Sequence, residues 1–208
     1  MIMADKDAKL LCLAHSPNQK LQLELLQDPD TGINFRMMYE GTPALSSVGL
    51  CFPDAASAVR DLRLRPFAFD GTEILLSLEG YAIRILVTDD KAAFRYEQFR
   101  SGAGAPFEER TAFRLGMDAS LLSSEPEQGL LSGKALSLPA LFELDNGLYM
   151  SLKRIPNPGG SFVLHMPEGR VMTAGRNGRG GRSGQDSGEE AERADDVTPW
   201  WIISFARP

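Results

Sequence analysis

The chain reads as an all-β protein, a large antiparallel sandwich or barrel. Three observations predict this. Leu21-Gln22-Leu23-Glu24-Leu25 alternates apolar and polar residues with period two, the pattern of a half-buried strand. Short apolar segments of this kind recur, separated by turn signals at roughly eight- to twelve-residue spacing. Only residues 53–61, rich in alanine, carry a weak helical pattern.

The elements follow in order. Pro17-Asn18-Gln19 turns the chain into the alternating segment, so the start reads as a hairpin. Asp28-Pro29-Asp30-Thr31-Gly32 is a second strong turn, and Ile33 to Glu40 a following strand ended by Gly41-Thr42-Pro43. Ser46 to Phe52 is another short strand. Asp70-Gly71 is a hairpin signal between two strand-like segments. Glu73 to Leu78 and Tyr81 to Val87 pair across Glu79-Gly80, and Ala92 to Phe99 follows the Asp89-Asp90 turn. Ala135 to Leu144, Leu148 to Arg154 and Ser161 to Met166 complete the regular strands.

One stretch differs. Thr173 to Asp196 holds six Gly, four Arg and six Asp or Glu among 24 residues. Such a composition does not bury enough apolar surface to offset chain entropy, so residues 173–196 are expected to form a mobile loop. Trp200-Trp201-Ile202-Ile203 is apolar again, which predicts a closing strand over 199–205 and makes residues 1–208 a single domain.

Bulk composition narrows the function classes. The 208 residues are 43% hydrophobic and 24% charged, ordinary globular usage that permits a sizeable core. Lys plus Arg number 22 and Asp plus Glu 28, a net charge of −6 that argues against nucleic acid, whose binding needs a basic footprint. No run approaches the ~20 apolar residues of a membrane-spanning helix. Met1 to Lys9 lacks the apolar segment of a secretory signal, so the chain as written reads as cytoplasmic, or as periplasmic or secreted if a signal has been removed. Cys12 and Cys51 both lie in apolar runs without metal-type spacing and read as buried free thiols.

Five strings in order carry a resemblance: Ser16-Pro17-Asn18-Gln19, Ser47-Val48-Gly49-Leu50, Asp89-Asp90-Lys91-Ala92-Ala93-Phe94-Arg95-Tyr96, Leu138-Pro139, and Thr198-Pro199-Trp200-Trp201-Ile202-Ile203. Together, from about residue 10 to 205, they resemble the N-terminal domain of glycoside hydrolase family 97. Lys91, Ala92 and Trp201 depart from that pattern, the last replacing an arginine. The resemblance implies a large antiparallel β-sandwich of the galactose-mutarotase-like type. It also implies that the catalytic carboxylates stand on a barrel after the sandwich, for which the 208 residues leave no room. The family's sandwich lends a glutamate to an active-site calcium, and that position falls at Arg154, beside Lys153. Two cations there would repel calcium. No catalytic residue, metal or cofactor is therefore expected.

Four residues remain as ligand candidates, with a carbohydrate or a protein as partner. Arg95 lies between Phe94 and Tyr96 and points to the opposite face. Trp200 and Trp201 likewise point to opposite faces, so one can be exposed to stack on a sugar ring. Arg154 completes the set. Asp89 and Asp90 read as a turn in which Asp bonds its own backbone, not as a proton-sharing pair. His15 and His165 lie in apolar strands and read as structural. An alternative is a small-sugar epimerase of the mutarotase type, in which His15, His165 and Glu143 meet; another is the detached domain of a split hydrolase.

Overall fold

The computed structural model describes residues 8–47, 50, 59–67, 71–98, 111–124, 135–155, 162–165, 171–176 and 197–208. Sixteen strands lie among them, in chain order: β1 (Lys9–His15), β2 (Leu21–Asp28), β3 (Gly32–Tyr39), β4 (Thr42–Ser47), β5 (Asp61–Phe67), β6 (Gly71–Ser77), β7 (Tyr81–Val87), β8 (Lys91–Gln98), β9 (Ala112–Leu115), β10 (Ala119–Ser124), β11 (Ala135–Ser137), β12 (Ala140–Leu144), β13 (Tyr149–Ile155), β14 (Phe162–His165), β15 (Val171–Arg176) and β16 (Trp200–Ala206). Every pairing is antiparallel, in two eight-stranded sheets ordered β1-β2-β3-β4-β9-β15-β14-β11 and β10-β12-β13-β16-β8-β7-β6-β5.

The sheets pack face to face as a β-sandwich. Alternation selects the inner face: Leu21, Leu23 and Leu25 of β2 are fully buried, as are Ile83 and Ile85 of β7. Aromatic rings bridge the layers. Phe35 of β3 meets Phe94 of β8 edge-on at 5.4 Å, and Tyr39 stacks on Phe205 at 5.3 Å. Phe113 of β9 meets Trp201 of β16 at 5.1 Å. Such pairs add ~0.5–1.5 kcal/mol to the burial of their surfaces.

The motifs of the sequence act mainly as ties. Ser16 Oγ accepts from Leu21 N at 2.9 Å and donates to Asn18 Oδ1 at 2.8 Å, fixing the first hairpin. Asn18 N in turn donates to Asp89 Oδ1 at 2.8 Å, joining a turn of the first sheet to one of the second. The sequence suggested that Asp89 bonds its own backbone; its carboxylate instead accepts from a neighbouring hairpin. Thr198 Oγ1 accepts from Tyr96 N at 3.0 Å, and Thr198 N donates to Tyr96 O at 2.9 Å. That clamp sets β16 in register against β8.

Several boundaries differ from expectation. Gly41-Thr42-Pro43 does not end the third strand as a loop; Glu40 and Gly41, at φ 49° and 76°, make a tight turn, and Thr42 already pairs with Tyr39. The expected strand from Ala135 to Leu144 is two strands in different sheets, divided at Leu138-Pro139, where the peptide is cis. Proline brings no N–H to a ladder, so the break falls there. Residues 173–176, assigned to the loop, belong to β15, which pairs with β14 and β9. The rest of that stretch, the Cys51 site and most of the weak helix at 53–61 lie outside the described residues; Asp61 itself begins β5. The described residues contain no helix long and apolar enough to cross a membrane.

Candidate functional site

The outer face of the second sheet, near the start of β16, brings together the most chemistry. Each contributor stands there by strand parity. In β8, Phe94 and Tyr96 are fully buried, so Arg95 and Glu97 between and beyond them face outward. In β16, Trp201 is buried and Trp200 is turned out, half-buried. Its cross-strand neighbour on β13 is Ile155, which is 50% exposed. On its other side the Arg95 guanidinium carbon lies 4.6 Å from the indole centroid, a cation–π contact.

Arg95 stands directly opposite Arg84 of β7. Like charges across a ladder repel, and Glu97 offsets that repulsion. Its carboxylate accepts from Arg84 Nε at 2.7 Å, from Arg95 Nη2 at 2.7 Å and from Arg95 Nε at 3.0 Å. Arg84 also donates to Glu73 of β6. Burial pushes the Glu97 carboxyl up, but the hydrogen bonds from Arg84 and then Arg95 outweigh it and hold the group below the usual glutamate range. The result is a pre-ordered row of aromatic ring, guanidinium, carboxylate and guanidinium.

The structure separates the four ligand candidates. Trp200 and Arg95 come together on the outer face. Trp201 is 0% exposed, packed between Phe113 and Phe94, and offers no surface to a ligand. Arg154, paired with Trp201 across β13 and β16, is also turned inward, its guanidinium carbon 5.1 Å from that indole centroid. Parity is the cause: the expected opposition of the two tryptophans holds, and Arg154 shares the parity of the buried one. Lys153 is exposed beside it.

The histidines do not meet. His15 is on β1, the first strand of its sheet, and His165 on β14, the seventh. Six strand spacings of ~4.8 Å separate those strands by roughly 29 Å in an open sheet. Glu143 is on β12 of the other sheet, half-buried on its outer face. One sugar ring cannot touch all three, so that acid–base trio is overturned. Among the described residues, no three His, Cys, Asp or Glu side chains converge in the manner of a metal site. Sequence reasoning missed Arg84, Glu97 and Glu73. The spacing of Arg95 and Glu97, two apart in one strand, was the available signal; their meeting with Arg84 depends on the β7–β8 register.

No family model and no curated protein matches this chain. Solved structures do. A glycoside hydrolase family 97 enzyme from Pseudoalteromonas sp. strain K8, in complex with panose, is similar at a TM-score of 0.64 and 15% identity, over 94% of this chain and 35% of that one. The same organism's enzyme in complex with acarbose gives 0.62 at 15% identity, with the same coverage. A β-arabinopyranosidase gives 0.61 at 16% identity, over 94% of this chain and 40% of that one. The chain therefore has the sandwich fold found within these sugar-cleaving enzymes and spans 35–40% of their length.

Proposed function

We propose that the chain is a non-catalytic β-sandwich that contacts carbohydrate through the outer face of its second sheet, at Trp200 and Arg95. One observation carries the reading: a half-buried indole flanked by exposed Ile155 and by a pre-ordered guanidinium–carboxylate row. A pyranose has an apolar face that suits an aromatic plane and a rim of hydroxyls that suits Arg and Glu. Similarity of fold to enzymes solved in complex with panose and acarbose supports the choice of ligand class. The finer assignment, a sandwich of the galactose-mutarotase-like type, goes with it.

The test is a glycan array followed by calorimetry at millimolar sugar, with panose and acarbose in the panel. Binding that weakens in Trp200→Ala is expected; silence across the panel removes the proposal. Polarimetry on glucose and galactose anomers should show no acceleration over buffer, since the histidines of the epimerase reading stand apart.

A protein partner is the second reading. It draws on the similar enzymes being more than twice as long as this chain. Co-purification with the products of adjacent genes tests it, and a chain that purifies alone from its native host counts against it.

A further inference from the structure

Two arginines side by side on an open sheet face would ordinarily make an anion site, because guanidinium forks hold carboxylates and phosphates in bidentate pairs. Here much of that capacity is already taken. Glu97 takes the bonds of Arg95 and two of those from Arg84, and Glu73 takes another from Arg84. The four charges sum to zero. The Glu97 side chain keeps 17% of its surface in solvent, so it meets whatever approaches Arg95.

From this arrangement we infer that the face at Trp200 takes neutral sugars and rejects acidic ones, and that Glu97 is the residue that sets this specificity. The inference rests on the carbohydrate reading above and narrows it. Hydroxyl groups both donate and accept, so they join the network without displacing it. A uronic-acid carboxylate only accepts. It would have to compete with Glu97 for Arg95 and lie beside that second carboxylate. Rejection of this kind, by a charge that repels the wrong ligand, is a common route to specificity. Lys153 on β13 and Arg65 on β5, opposite Glu73, are exposed cations outside the balance, and solvent screens them.

An array carrying neutral and uronic-acid oligosaccharides tests the inference, followed by calorimetry with α-1,4-galactotriose and trigalacturonic acid. This pair matches in length and linkage and differs in the carboxylates. Wild-type protein should favour the neutral member. Glu97→Gln removes the competing charge and should shift the ratio toward trigalacturonic acid by about fivefold or more, the worth of one charge-assisted hydrogen bond on a partly solvated face. Trp200→Ala should weaken both ligands without changing the ratio. Wild-type preference for acidic oligosaccharides overturns the inference and leaves the carbohydrate reading standing. No binding to any sugar overturns both. The wild-type titrations decide the preference itself even if Glu97→Gln does not fold, and an unchanged ratio in folded Glu97→Gln overturns the role of Glu97.

Discussion

The two faces of the second sheet are built from the same strands and carry opposite chemistry. Inside, Phe94 and Trp201 lie with their planes only 16° apart, and Phe113 of the first sheet meets both edge-on. Outside, one residue away along β8 and β16, Arg95 and Trp200 make a polar–aromatic pair that stays partly in water. Adjacent residues thus divide between holding the sandwich together and presenting a surface. The difference teaches that burial, and not residue type, decides which tryptophan is structural.

Four substitutions measure how far the two faces are independent. The largest effect is expected for Trp201→Ala, which leaves a cavity beside Phe94 and Phe113 and should cost ~3–5 kcal/mol in urea unfolding. Thr198→Val comes next. It strips the hydroxyl from the Tyr96 N–H in a buried setting, and about 1–3 kcal/mol should be lost. Because the clamp seats both tryptophans, Trp200 fluorescence should change as well.

Glu97→Gln should cost under about 1 kcal/mol, since its ion pairs are partly solvated. Its signature is pH dependence. The folded carboxyl lies below its ordinary value, so its stabilisation is present above the ordinary glutamate pKa, about 4.3, and is lost as pH falls through the folded value. Acid titration of stability should therefore be steeper in wild type than in the variant below about pH 4. Trp200→Ala should change unfolding least, within about 0.5 kcal/mol as for most surface positions, while weakening sugar binding. A loss comparable to that of Trp201→Ala would show that the outer face is structural too.

Much of the fold could be read in the chain, and particular residues show why. The period-two leucines of β2 and the glycine turns announce strands directly, because alternation and positive φ are local properties. The opposition of Trp200 and Trp201 was readable for the same reason. Three things were not. The passage from the first sheet to the second at Leu138-Pro139 depends on which partners wait on each side. Short β9 and serine-rich β10 owe their existence to neighbours in the ladder and not to their own propensity. The Arg84–Glu97–Arg95 cluster needs the register of β7 against β8. Arg154 shows the limit of inference from position. The resemblance made it a ligand candidate, whereas its parity with Trp201 turns it inward.

The cross-sheet tie noted at the first hairpin has company, within the sheets as well as between them. At the same end, Arg207 reaches from beyond β16 to Glu40 at 2.8 Å and to the Asn146 carbonyl at 3.0 Å, while Phe205 N donates to Asp90 O at 2.8 Å. Lys20 closes on Glu40 as well, at 3.0 Å. The sandwich is bound like a book along this spine, and Trp200 stands at the fore-edge. A ligand seated there would close over an edge already latched from within, where Tyr96 Oη and Thr111 Oγ1 meet at 3.1 Å across the layers.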